Sequence, residues 1–117
     1  MARTPTLYHN PKCGTSRKVL GWLREAGIEP EIVEYLKTPP TSAEMADLLA
    51  KMGLTPRAVL RRKEAAYADL ELDLPDKTDA EILAALAAHP ILMERPILVT
   101  VKGAVLCRPA ERAREVM

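Results

Sequence analysis

TPTLYHNPKCGTSRKVLGWLREAGIEPEIVEYL, residues 4–36, is the stretch whose reading decides the fold. Its two ends, TPTLYH (4–9) and EIVEYL (31–36), read as short strands, the second following Pro30. Between them SRKVLGWLREAG (16–27) reads as a helix: Val19, Leu20, Leu23 and Ala26 fall on one face, and Gly27 stands where helices stop. A strand, a helix and a strand in succession predict two parallel strands joined by a right-handed crossover.

Downstream, Thr41 and Glu44 are spaced as a capping box for a helix with Met45, Leu48, Leu49 and Met52 on one face and Gly53 at its end. Thr55-Pro56 starts another predicted helix, with proline at its first position, running to about Arg62. Residues 64–77 carry no decisive pattern. Thr78 and Glu81 repeat the capping box ahead of Ile82, Leu83 and Leu86, and His89-Pro90 closes that helix. ILVTV (97–101) is nearly all apolar, as a central strand is, and Lys102-Gly103 turns it into AVLC (104–107) as a hairpin. Pro109 opens a last helix. The expected class is α/β, a mixed four-stranded sheet with helices on both faces. The pattern resembles a thioredoxin-like fold. The chain reads as one domain, 1–117, with a helical insertion at about residues 38–90 between the second and third strands.

Composition narrows the function. At 117 residues the chain is long enough for one core without staples. Charged residues make up 28% and hydrophobic residues 48%, ordinary values for a globular protein. A net charge of +1 argues against a nucleic-acid or membrane partner. No apolar run approaches the ~20 residues of a membrane span, and MARTPTLYHN holds no secretory signal, so the expected location is the cytoplasm. Two cysteines and two histidines offer no disulfide framework and no metal-ligand spacing; no metal and no tightly bound cofactor is expected.

Cys13 stands in the loop between the first strand and the first helix, where α/β sheets bind ligands. Free N–H groups at a helix start favour an anion, and nearby cations lower a thiol pKa, so the loop suits a reactive thiolate. Ser16 occupies the position where a dithiol motif C-x-x-C would carry its resolving cysteine, so Cys13 closes no local disulfide. Its spacing to Arg17, C-x3-R, differs from the C-x5-R of phosphatase loops, so an oxyanion here needs arginines from far along the chain. Arg95, before Pro96 and the central strand, Arg108, before Pro109, and one of the tandem Arg61-Arg62 are the candidates, since guanidinium forks match oxyanions. Arg3, Arg24, Arg57, Arg112 and Arg114 read as surface charges. In a thioredoxin-like fold the proline before the third strand lies beside the reactive cysteine; Pro96 holds that place as a candidate cis proline, which would bring Arg95 to the thiol. Lys12 and Thr15 stand open between anion contact and solvent, His89 reads as a helix-end residue, and Cys107 as a packed strand residue.

With YHNPKCGTSR, LRRK, HPILMERPILVT and LCRP in this order and at these separations, the chain resembles a glutaredoxin-linked arsenate reductase of the thioredoxin-fold type. The match runs from about Leu7 to the end. Longer members carry a C-terminal extension, where no matched residue lies. The resemblance implies Cys13 as catalytic nucleophile and His9 and Ser16 as its supports, with Arg17 completing the motif. Arg61, by register with the family, joins Arg95 and Arg108 in binding the oxyanion. It further implies arsenate as substrate, glutathione as co-substrate and glutaredoxin as protein partner. The Cys13 thiolate would attack arsenic, glutathione would reduce the adduct to arsenite, and glutaredoxin would resolve a Cys13–glutathione disulfide. Two other classes stay open on the residues: a monothiol glutaredoxin-like redox protein, for which the three arginines have no purpose, and a non-catalytic regulator on the same scaffold, which would want a C-x-x-C pair.

Overall fold

The computed structural model describes residues 4–117, so Arg3 lies outside the described residues. The chain falls into two compact units: the segment through Thr38 together with Arg95–Met117, and Pro39–Glu94.

The first unit carries the sheet. β1 (Thr6–His9) pairs parallel with β2 (Glu31–Glu34) and antiparallel with β3 (Ile97–Thr100), which forms a hairpin with β4 (Gly103–Leu106). The strand order is β2-β1-β3-β4, the mixed four-stranded sheet expected, in the thioredoxin-like arrangement. Leu7 stands opposite Leu98, and Leu98 opposite Val105, so these three share one face. α1 (Gly14–Glu25) lays Val19 and Leu23 onto them, and the closing segment adds Ala110, Ala113 and Val116. Leu7, Val19, Leu23 and Leu98 are fully buried, each contributing about 1.5–3 kcal/mol of apolar transfer.

The first three strands are one or two residues shorter than the sequence suggests, and β4 is shifted by one residue, leaving Cys107 just beyond it. The Lys37 and Thr38 N–H groups donate to the Glu34 carbonyl, which ends β2 two residues before Leu36. The predicted last α-helix is a 3-10 segment, Ala110–Glu115. Beyond it the Val116 carbonyl accepts the Thr100 hydroxyl at 2.6 Å, so the chain is tied to the sheet instead of winding on. Arg95-Pro96 is cis, as its place suggested, and Arg108-Pro109 is cis as well.

The second unit is helical. α2 (Ser42–Met52) and α4 (Asp79–Ala88) both open on complete capping boxes. Thr41 Oγ1 accepts the Glu44 N–H at 3.1 Å while the Glu44 carboxylate accepts the Thr41 N–H at 3.0 Å, and Thr78 with Glu81 repeats the pattern. Gly53 ends α2 at φ +68°, a left-handed cap that a Cβ would strain. The helix predicted from Pro56 to Arg62 is one 3-10 turn, Pro56–Val59. Tertiary pairing ends it: Leu60 bridges Met93 antiparallel, the Arg61 N–H donates to the Leu92 carbonyl at 2.7 Å and the Glu94 N–H to Val59 at 2.8 Å. Those bonds take the groups a longer helix needs. Residues 64–77 contain the short α3 (Ala65–Asp69). Arg57, expected as a surface charge, is a clamp: its guanidinium donates to the carbonyls of Leu72, Leu74 and Lys77 at 2.9, 2.7 and 3.0 Å. Five-residue α3 leaves the following chain without a regular ladder, and Arg57 supplies donors to its carbonyls. Arg24 and Arg112 make the exposed ion pairs expected of surface charges, with Glu29 and Glu115, and Arg114 lies over the Trp22 ring at 4.8 Å.

Candidate active site

The site begins with a four-residue turn. Asn10, Pro11, Lys12 and Cys13 close it, the Cys13 N–H donating to the Asn10 carbonyl at 2.9 Å. Proline at the second position presets the turn, and the Asn10 side chain accepts the Lys12 N–H at 3.0 Å, an Asx turn inside the larger one. The chain leaves this turn at Cys13, the N-cap of α1, with extended backbone (φ −91°, ψ 122°). No side-chain hydrogen bond caps the first turn of α1, so the N–H groups that open the helix have no side-chain acceptor, and the Cys13 sulfur stands at that end of the helix.

Partial burial acts to raise the Cys13 pKa, as desolvation of a thiolate must. The Ser16 N–H, the Arg95 side chain and the Thr15 N–H all favour the thiolate and together outweigh it, so the thiol sits below its ordinary range. Arg95 reaches the sulfur from the residue before cis Pro96, and Pro96 itself is fully buried. The Arg95 Nε and Nη1 are buried and find no hydrogen-bond partner among the described residues. Two buried guanidinium nitrogens with donors to spare are costly unless an anion takes them.

Beneath the sulfur lies a second layer. Ser16 is fully buried, and its Oγ lies 2.6 Å from His9 Nδ1 and accepts the Asn10 N–H at 3.1 Å. His9 closes β1, so the end of the strand and the first turn of the helix are tied through one hydroxyl. Burial holds the His9 pKa below its ordinary 6.5, with Arg24 and Arg17 adding to the effect and Glu34 opposing it. The ring is therefore neutral near pH 7. The structure brings Ser16 to the sulfur through its backbone N–H, and brings His9 to Ser16, not to the sulfur.

Arg17 donates from Nη1 to the Pro11 carbonyl at 2.9 Å, gripping the turn from the helix side. Arg108 donates from Nη1 to the Arg95 carbonyl at 3.2 Å, so these two arginines are in direct contact. Arg61 belongs to the second unit. Its Nε and Nη1 bond the carboxylates of Glu64 and Glu94 at 3.2 and 3.3 Å, and it is half-buried while Arg62 is exposed. Cys107 is fully buried among Leu7, Val19 and Leu98, and burial pushes its thiol up to about 12. It is a packed residue, as expected, although it lies one position beyond β4 and not in the strand.

Sequence reasoning missed Asn10 and the Thr15 N–H. The Asn-Pro pair carried a legible signal for the first, since Asn at the opening position and Pro at the second are the signature of such a turn. A backbone N–H leaves no trace in the residue type.

Among the described residues no helix is long and apolar enough to cross a membrane, and no three potential metal ligands cluster. The chain and its fold have counterparts among known proteins. Residues 8–116 match the model of the ArsC family. An arsenate reductase of Rhizobium meliloti is 48% identical over 114 residues, covering 97% of this chain and 81% of the relative. One from Escherichia coli is 46% identical over 112 residues, covering 96% of this chain and 79% of the relative. The solved structure of an arsenate reductase from Vibrio cholerae superposes with a TM-score of 0.94 at 40% identity, covering 100% of both chains.

Proposed function

The chain belongs to the ArsC family, and on that premise we propose that it reduces arsenate to arsenite with Cys13 as nucleophile, glutathione as reductant and glutaredoxin as the protein that regenerates the thiol. The observation that carries this reading is the pairing of a stabilised sulfur with a half-buried arginine: the Cys13 thiolate is favoured by the Ser16 N–H and by Arg95, whose buried Nε and Nη1 have donors free for an oxyanion.

The steps balance as follows. The Cys13 thiolate attacks arsenic of a bound arsenate, a sulfur–arsenic bond forms, and one arsenic oxygen leaves as water after taking up protons. Arg95, and Arg108 beside it, neutralise the remaining oxygens as negative charge gathers on them. Arg61 is assigned to the same anion through the family register. A glutathione thiolate then attacks the Cys13 sulfur. The sulfur–arsenic bond breaks with its electron pair on arsenic, so arsenic(V) becomes arsenic(III) and leaves as arsenite. Cys13 and glutathione, each oxidised by one electron, remain joined as a disulfide. Glutaredoxin takes over the glutathionyl group and frees the Cys13 thiolate. Ser16 in place of a second cysteine suits this scheme, because a local thiol would compete with glutathione for Cys13.

His9 and Ser16 are assigned to holding the helix start and strand end in register under the sulfur, and Arg17 to fixing the turn that carries it. The whole chain is assigned to one functional domain working in the cytoplasm, where thiols stay reduced.

The test is a coupled assay of the purified chain with arsenate, glutathione, glutaredoxin, glutathione reductase and NADPH. Arsenate-dependent NADPH oxidation, absent without glutaredoxin and absent in Cys13→Ser, is the expected result. Turnover of a glutathione mixed disulfide with no response to arsenate would instead identify a monothiol redox protein.

A further inference from the structure

We propose that Asn10 is the positioning residue of the reactive loop: its side-chain carbonyl, by closing the Asx turn on the Lys12 N–H, fixes the extended N-cap conformation that sets the Cys13 sulfur at the start of α1. This rests on Cys13 being the nucleophile, but not on the identity of the substrate.

Asn10 is buried, at 5% exposure, and carries no charge. Its hydrogen bonds join the turn to the first turn of α1. Its carbonyl accepts the Cys13 N–H at 2.9 Å, its Oδ1 accepts the Lys12 N–H at 3.0 Å, and its N–H donates to Ser16 Oγ at 3.1 Å. One residue thereby connects the turn that precedes the sulfur with the serine whose own N–H favours the thiolate. Pro11 lacks an N–H and presets only its own φ, so the orientation of the Lys12 peptide is left to the Asn10 side chain. That peptide leads directly into Cys13. If it rotates, Cys13 leaves its extended N-cap geometry, and the sulfur moves off the axis of the Thr15 and Ser16 N–H groups. Those are short-range, directional contacts, and they weaken steeply with misalignment. Arg95 is the charged group that bonds the sulfur from outside the loop; it is long and adjusts, so the peptide donors are the contacts that depend on the turn.

The experiment is the pH profile of Cys13 alkylation by iodoacetamide in the folded protein, with Cys107→Ala as background so that one thiol is read. It needs neither arsenate nor glutathione, so it fails or succeeds independently of the reduction chemistry. Asn10→Ala should move the profile to higher pH, with a rate about five-fold lower well below the midpoint and little changed well above it, the effect of losing about one hydrogen bond's worth of orientation. Asn10→Gln keeps the amide but is one methylene too long for the two-residue ring, and should shift like alanine. Asn10→Ser, whose hydroxyl closes the same turn more weakly, should recover part of the rate. A wild-type profile in any alanine or glutamine variant that folds, whatever its melting temperature, would overturn the proposal. So would a serine variant no better than alanine.

Discussion

Replacing Arg95 by alanine removes the charged side chain that bonds the Cys13 sulfur from outside its own loop, together with two buried donors, Nε and Nη1, assigned to the substrate. A hydrogen bond to a charged group contributes about 1.5–3 kcal/mol. Cys13 is only partly buried, so solvent screens the loss and the lower half of that range applies to the free thiol. Alkylation of Arg95→Ala well below the thiol midpoint should therefore slow about ten-fold, with little change well above it. Arsenate turnover loses more, because the oxyanion is deprived of its fork as well as the thiolate of its partner; kcat/KM should fall on the order of 10²- to 10³-fold. Arg95→Lys separates the two effects. An ammonium restores the charge beside the sulfur and hence most of the alkylation rate, but not the planar fork, so the arsenate defect should persist at about ten-fold or more. The readouts are stopped-time alkylation across pH and NADPH-coupled arsenate kinetics. An Arg95→Ala enzyme with wild-type alkylation at low pH and a wild-type KM for arsenate would refute the reasoning.

Three further outcomes follow from other parts of the molecule. Cys107→Ala should keep arsenate turnover; because burial raises the Cys107 thiol to about 12 from its ordinary 9.0, the unfolded chain releases this proton first, so wild-type stability falls as pH rises between those values, and the alanine variant should show a shallower fall in denaturant titrations. His9 has the opposite sign: its pKa is lowered by burial, the unfolded ring binds a proton as pH drops below 6.5 while the folded ring resists, and stability is lost on acidification; a His9→Asn chain, measured the same way, should lose less between pH 7 and 5. Thr41→Ala, which deletes the acceptor for the Glu44 N–H at the start of α2, should cost about 1 kcal/mol by chemical denaturation and leave Cys13 alkylation unchanged.

Much of this was legible in residue order. Period and punctuation gave α1, α2 and α4 within two residues, because capping boxes and glycine stops act locally. The run ILVTV announced a central strand, and β3 lies between β1 and β4. What escaped was decided by distant partners. Pro56 starts a helical turn as expected, but Leu60 pairs with Met93, and no local pattern announces an antiparallel bridge 33 residues away. Arg57 looks like any surface cation until three carbonyls from 72–77 close on it. Around the thiol, the polar neighbours of Cys13 pointed to the site, and the proline after Arg95 pointed to its partner. The residue letters hid that Ser16 serves the sulfur through its backbone while its hydroxyl turns to His9.

The central claim is that the Cys13 sulfur itself carries the electrons from glutathione to arsenic. Mass spectrometry of the chain quenched by acid during turnover with arsenate and glutathione, glutaredoxin withheld, tests it most directly. The account predicts one glutathionyl group on the peptide bearing Cys13, formed only when arsenate is present and removed by adding glutaredoxin. An unmodified Cys13 peptide while arsenite accumulates, or a glutathionyl group found instead on Cys107, would contradict it.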